Sequence, residues 1–155
     1  MNKKLPVSVT LKSLLAAWVT MIFGTSLLLF LFAPIKHPVY SENFLVNILQ
    51  SVWELGDAIG PIVKLSLIII FAILVSMLRN NFNEKPQFVY VKSITFALLS
   101  MLLVLFFLPL EYSRGFGIGL TGSRIDTSVF FFYIIGAIAG GIVYAYTFNR
   151  LSKNV

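Results

Sequence analysis

The sequence contains no cysteine and a single histidine, His37. The absence of cysteine excludes disulfides, thiolate metal sites and thiol nucleophiles, and one histidine cannot form a metal cluster by itself. The carboxylates are also few and scattered, so general acid–base and metal chemistry lack participants. We therefore expect a protein that is not an enzyme and that uses no cofactor or metal.

Charged residues are scarce as well. They make up 12% of the 155 residues, whereas 58% are apolar and the mean hydropathy is +0.91. Soluble domains carry about a quarter charged residues, and a chain this short could not bury so much apolar surface in water. Composition therefore predicts an integral membrane protein. The net charge of +6 is expected to report membrane orientation, and no nucleic-acid partner is expected.

Four apolar runs are long enough to cross about 30 Å of hydrocarbon as helices. They cover approximately residues 13–33, 60–78, 88–108 and 127–148. The runs are continuously apolar rather than alternating, which favours helices over an outer-membrane barrel. The prediction is an all-α integral membrane four-helix bundle, with residues 1–155 as one domain. The first run ends in Leu31-Phe32-Ala33-Pro34, a poor cleavage site, so we expect it to remain as an anchor.

Basic residues are distributed unequally between the two sides of these spans. Eight lie on the side that holds both termini: Lys3, Lys4, Lys12, Arg79, Lys85, Lys92, Arg150 and Lys153. The other side carries Lys36, Arg114 and Arg124, with Lys64 just inside the second span. By the positive-inside rule both termini are predicted to be cytoplasmic. A bacterial inner membrane is the expected location of this multi-pass chain.

An amphipathic helix is predicted in the first outer loop, at approximately residues 42–55, with Ser41 as a candidate N-cap. Its apolar side chains are Phe44, Leu45, Ile48, Leu49, Val52 and Trp53. The polar face is acidic rather than basic, so attraction to anionic lipid headgroups does not account for it. Two interpretations stay open: the helix rests at the interface or caps the bundle, or it is a docking surface for an external partner.

Two lysines, Lys64 and Lys92, fall within predicted spans, each about one turn from a span end. A charge at membrane depth is a functional hypothesis by default, although both side chains could reach the headgroups by snorkelling. No Asp, Glu, Arg or His falls at the midplane of a predicted span. That pattern counts against a proton-coupled transporter or a cation antiporter.

The fourth span carries small residues one helical turn apart. Gly136 and Gly140 form a Gly-x-x-x-Gly pair, and Ala137 and Gly141 form an offset pair of the same kind. Small residues at this spacing let another backbone approach closely. The approaching backbone belongs either to another helix of this chain or to a membrane helix of another protein, and the sequence leaves both open.

Two stretches carry a resemblance to a known family. One is Asp126-Thr127-Ser128-Val129-Phe130-Phe131-Phe132-Tyr133-Ile134-Ile135-Gly136, and the other runs from Lys92-Ser93 to Phe107-Leu108-Pro109-Leu110-Glu111. In these stretches, and in its short, basic, four-span layout, the chain resembles the immunity proteins that protect bacteria against pore-forming colicins of the colicin A type. The resemblance implies an inner-membrane protein that binds the pore-forming domain of a toxin and blocks channel opening.

On this interpretation the partner contacts come from one span and from the outer loops. The expected contact residues are Gly136, Gly140 and Gly141 in the fourth span, and Glu54, Asp57, Arg114 and Arg124 in the loops, where charge would tune partner choice. Two alternatives stay open: an accessory subunit of a transporter or channel, and a superinfection or conjugation exclusion protein. The hydroxyl groups of the spans are too few to define a pore. Formation of a homo-oligomer is also left open.

Overall fold

The computed structural model describes residues 7–33, 42–78, 86–108 and 127–153, and every regular element in these ranges is an α-helix. The helices are α1 (Val7–Phe32), α2 (Phe44–Ala58), α3 (Pro61–Leu78), α4 (Pro86–Phe107) and α5 (Thr127–Ser152). The prediction of an all-α fold is confirmed for the described ranges, and the amphipathic helix predicted at residues 42–55 is present as α2.

Three of these helices, α1, α4 and α5, are each long and apolar enough to cross a membrane. The helices α2 and α3 meet the same criterion only as a pair, which is bent by 79° at the break between them. The predicted runs 13–33, 88–108 and 127–148 therefore each correspond to one candidate span. The run 60–78 corresponds to the second arm of the bent pair. Over its described residues the protein is helical, with three candidate membrane spans, or four if the bent pair counts as one.

The long helices pack side by side in a ring. The largest interface joins α1 to α5; α5 also packs against α4, α4 against α3, and a smaller contact between α3 and α1 closes the ring. The Phe32 ring stacks on that of Phe132 with 6.4 Å between centroids, and Phe106 meets Phe130 at 6.5 Å. Thus α1 and α4 end where α5 begins. We call this the Phe32 end of the bundle and the opposite one the Val7 end.

Apolar side chains fill the centre of the ring and also cover its outside. The buried ones include Ala17, Met21, Val63, Phe71, Val104, Tyr133 and Ala137. The exposed ones include Val19, Leu27, Leu65, Ile69, Ile73, Val91, Leu99, Phe106, Phe131 and Ile142. A continuous apolar exterior on this scale is unfavourable in water, whereas lipid chains would cover it at no such cost. A bundle that is apolar both at its centre and on its outside is typical of a membrane protein.

The helix α2 begins at an asparagine cap. The Asn43 side-chain oxygen accepts hydrogen bonds from the backbone N–H groups of Leu45, at 3.0 Å, and Val46, at 3.5 Å. This satisfies two of the N–H groups that a helix start leaves without partners. The prediction of Ser41 as the cap is therefore wrong, and Ser41 itself lies outside the described residues. Asparagine and serine serve equally well at this position, so composition alone could not separate them.

The break between α2 and α3 depends on a glycine and a proline in succession. Gly60 has a φ of 81°, in the left-handed region that costs a residue with a β-carbon free energy. Its N–H donates to the Asp57 carbonyl oxygen at 2.9 Å, which ends α2. Pro61 then opens α3, where its missing N–H is no loss because the first turn has no partner for it.

We expect Gly60→Ala to lower the free energy of unfolding by about 1–2 kcal/mol, because alanine must adopt the left-handed conformation at the break. The measurement is an SDS titration of the purified protein in mild detergent, followed by helical circular dichroism. Gly60→Asn is the matched control, since asparagine tolerates this region better, and it should cost less. Equal losses for the two variants would contradict the role of φ.

Candidate functional site

Two of the predicted contact glycines, Gly136 and Gly140, are buried against α1. A β-carbon at Gly136 would collide with the Thr25 hydroxyl oxygen and lie 3.3 Å from the Met21 carbonyl oxygen. One at Gly140 would collide with the Met21 side chain and lie 3.1 Å from the Ala17 carbonyl oxygen. Because Gly136 and Gly140 have no side chains, the backbone of α5 packs closely against the backbone of α1.

The third glycine, Gly141, is buried against α4. A β-carbon there would lie 2.6 Å from the Ile94 α-carbon and 2.9 Å from the Ser93 carbonyl oxygen. The Ser93 hydroxyl donates to the Gly141 carbonyl oxygen at 3.0 Å, a direct polar link between α4 and α5. Sequence analysis missed this role of Ser93. The signal for it was a small hydroxyl residue on one span and a small-residue pair on another.

The small-residue face of α5 is thus occupied within the chain by α1 and α4. The sequence left open whether this face contacts a helix of the same chain or of another protein, and the first kind of contact is present. A partner helix could reach Gly136, Gly140 or Gly141 only if α1 or α4 moved away. Contact of a second protein with these glycines stays a prediction.

The hydroxyl side chains of the spans bond back to their own helices. Those of Thr20, Thr25, Ser26, Ser76, Thr95 and Ser100 donate to carbonyl oxygens three or four residues earlier, at 2.6–2.9 Å. Such hydroxyls are satisfied without water or a substrate. Among the described residues they therefore provide no row of free polar groups along a pathway.

A small apolar cavity lies between the helices in the described part of the bundle. Met21, Thr25, Leu67, Val104 and Tyr133 are among its lining residues, and its volume is about 10 Å³. That is room for about one water molecule, so a substrate could not bind there. In the four described ranges no three His, Asp or Glu side chains come together in a way that could hold a metal ion.

The helix α2 presents three different faces around its axis. Ser51, Leu55 and Gly56 are buried towards the bundle, and the Ser51 hydroxyl has no hydrogen-bond partner among the described residues. The other two faces are exposed. One is apolar and comprises Leu45, Val46, Leu49 and Trp53, whereas the other is polar and comprises Gln50, Glu54 and Asp57. With 3.6 residues per turn, the polar face lies about 90° from the apolar face and about 150° from the face turned to the bundle.

The acidic candidates Glu54 and Asp57 therefore share the polar face of α2. Both are exposed, and Asp57 also pairs with Lys64 across the helix break, with 3.4 Å between Oδ1 and Nζ. The other two charged candidates, Arg114 and Arg124, lie outside the described residues. Among the charged candidates that the structure describes, it brings the two carboxylates together on one helix face.

Lys64 lies one turn after the start of α3, as the sequence suggested for the second apolar run. The indole N–H of Trp18 donates to the Lys64 carbonyl oxygen at 2.8 Å, and Trp18 lies near the middle of α1. The start of α3 is therefore well inside the length of the bundle rather than level with the Phe32 end. Sequence reasoning could not place that turn along α1, because it could not see the bend that sets α3 lower. Lys92 is half-buried near the start of α4, at the Val7 end.

We expect Gly141→Ala to lower the free energy of unfolding by about 1–3 kcal/mol, because its methyl group would meet the backbone of α4, which cannot give way without moving the helix. The control is Gly24→Ala, whose β-carbon would meet only the Thr20 methyl carbon, at 3.9 Å. That variant should be neutral or more stable by about 0.5–1 kcal/mol. Equal effects of the two substitutions in the same SDS titration would argue against a tight contact of α4 with α5.

No protein-family model, curated protein or solved structure matches this chain, so its function has to be argued from its own residues.

Proposed function

We propose that the chain is a four-span protein of the bacterial inner membrane with both termini in the cytoplasm. On this proposal it binds the pore-forming domain of a colicin-type toxin in the membrane and keeps the channel closed. The observation that carries the proposal is the contrast between spans whose hydroxyls, such as those of Thr25, Ser26 and Ser100, bond to their own helices, and a helix, α2, whose apolar and acidic faces are exposed. These features suit a protein that binds a partner better than a protein that catalyses a reaction.

The charge distribution supports the orientation. Of the five basic residues in the described ranges, Lys12, Lys92, Arg150 and Lys153 belong to the Val7 end. The fifth, Lys64, pairs with Asp57, and both Asp57 and Glu54 belong to α2 at the other half of the bundle. The positive-inside rule puts the Val7 end in the cytoplasm. The surface of α2 then faces the side from which a toxin arrives.

The proposed partner contacts combine the polar face of α2 with the loop that carries Arg114 and Arg124. Charges at the rim of such a surface select among related partners more than they add affinity. The glycines Gly136, Gly140 and Gly141 serve the bundle itself, and they would contact a toxin helix only through displacement of α1 or α4.

The alternatives have less support. An accessory subunit of a transporter or channel needs a polar lining, and the hydroxyls of the described spans are bonded to their own helices. A superinfection or conjugation exclusion protein would use the same exposed surfaces, so a functional assay has to separate it from an immunity protein.

We expect bacteria that express the chain to keep their membrane potential when challenged with one pore-forming colicin. The readout is a potential-sensitive dye, and the panel includes several related colicins. Protection against one toxin and not its relatives would support the proposal and identify the partner. Cells that carry the empty vector are the control. Depolarisation by every toxin at the control rate would contradict toxin immunity and favour an exclusion or accessory role.

A charge reversal tests the contribution of α2. Glu54→Lys should weaken protection or change the toxin that is recognised, because it inverts the charge of the polar face. Glu42→Lys is the matched control, since it makes the same change of charge at an exposed residue outside α2. Both variants should reach the membrane in equal amounts by immunoblot. Equal protection by the two variants would exclude Glu54 from the contact.

A further inference from the structure

We propose that α2 lies within the membrane leaflet next to the Phe32 end, with Leu45, Leu49 and Trp53 in contact with lipid acyl chains. On this proposal α2 and α3 form one broken span, and α2 does not lie on the membrane surface above the ends of the bundle. The proposal depends on the membrane character of the fold and not on toxin binding. Its partner is the hydrocarbon of the bilayer.

The first argument is the level at which α2 meets α1. The Trp53 ring stacks on Phe23, with 5.8 Å between centroids and 27° between planes. A β-carbon at Gly56 would lie 3.1 Å from the Phe23 ring and 3.6 Å from the Ser26 hydroxyl oxygen. Phe23 precedes the end of α1 at Phe32 by nine residues, which is about 13 Å at roughly 1.5 Å per residue. α2 therefore crosses the flank of α1 well below its end.

The second argument is the character of α1 on either side of that crossing. Val19 and Leu27 lie one turn before and one turn after Phe23, on the same stripe of the helix, and they are 45% and 39% exposed. Leu31, one turn further, is 50% exposed. Lipid has to cover these side chains on both sides of α2. The same lipid then covers the apolar face of α2 between them.

The third argument comes from the opposite end of the bundle. Lys12 in α1 is exposed, and Arg150 in α5 approaches the Tyr146 hydroxyl at 3.4 Å. Basic and tyrosine side chains of this kind mark a membrane–water boundary. From Lys12 to Phe32 is 20 residues, about 30 Å of helix, which equals the usual thickness of the hydrocarbon. With one boundary at Lys12, the other falls at Phe32, and α2 lies inside it.

The charges of α2 are compatible with this depth because of how they are placed. Asp57 is paired with Lys64, and a paired charge costs less in a membrane than a single one. The polar face that holds Gln50 and Glu54 lies apart from both the bundle face and the apolar face. For a helix lying nearly flat in the leaflet, we expect the bundle and lipid to cover two faces, and local thinning of the bilayer at the Phe32 side to bring water to Gln50 and Glu54.

The test uses a natural probe of depth. The chain has two tryptophans, so Trp18→Phe leaves Trp53 as the sole reporter on the apolar face of α2. The full chain is placed in phosphatidylcholine vesicles that contain lipid brominated either along the acyl chain or near the headgroup. We expect emission at short wavelength, the largest loss of fluorescence with chain-brominated lipid, and little loss with aqueous iodide. Emission typical of water, with stronger quenching by iodide than by either brominated lipid, would overturn the proposal.

A second measurement keeps Trp18 and its hydrogen bond. Because the sequence has no cysteine, Leu49→Cys and Gln50→Cys each introduce a single thiol, on the apolar and the polar face of α2. In intact vesicles a membrane-impermeant maleimide should label Gln50→Cys, and it should label Leu49→Cys only after detergent is added. Equal labelling before detergent would overturn the proposal. Formation of a disulfide dimer by Leu49→Cys would also overturn it, because it would assign the apolar face to a second copy.

Neither result bears on toxin protection. A chain whose α2 is exposed to water could still protect cells in the depolarisation assay, and a lipid-embedded α2 could belong to a protein that protects against no toxin. Failure of one proposal is thus distinguishable from failure of the other.

Discussion

The close approach of α5 to two other helices is the constraint on which the rest of the structure depends. At Gly136 and Gly140 the backbone of α1, and at Gly141 the backbone of α4, lies closer to α5 than a β-carbon would allow. In lipid there is no water to drive helices together, so association relies on contact between backbones and on short hydrogen bonds such as that from Ser93 to Gly141. The positions of α1 and α4 against α5 then leave α3 to close the ring.

The break between α2 and α3 is the second determining feature. Gly60 and Pro61 turn the chain by 79°, and the start of α3 is held against α1 by the bond from Trp18 to the Lys64 carbonyl oxygen. This leaves α2 across the flank of α1, with an apolar face and an acidic face both exposed. The same arrangement underlies the toxin-contact proposal, through the acidic face, and the lipid-contact proposal, through the apolar one.

Much of the fold could be predicted because it follows from local pattern. The apolar runs marked α1, α3, α4 and α5, the spacing of Leu45, Leu49 and Trp53 marked α2, and the Gly-x-x-x-Gly pair marked a helix-packing face. The cap of α2 was assigned to Ser41 instead of Asn43, because two acceptors of equal quality precede the helix. Lys64 lies one turn into α3, as its place in the apolar run predicted, but the level of that turn along α1 depends on a contact with Trp18, which lies 46 residues away in the chain.

By itself the sequence determined that the chain has no cysteine and that it forms helices apolar and long enough to cross a membrane, since composition and continuous hydrophobicity are properties of the chain and not of its folding. Only the tertiary structure decided which helices the α5 glycines contact, which face of α2 is turned to the bundle, and that Asp57 pairs with Lys64. Those outcomes depend on the angle at Gly60 and on the register between helices. The glycine and proline at the break permit that angle, but its value and the register are set by packing among distant residues, which no local spacing encodes.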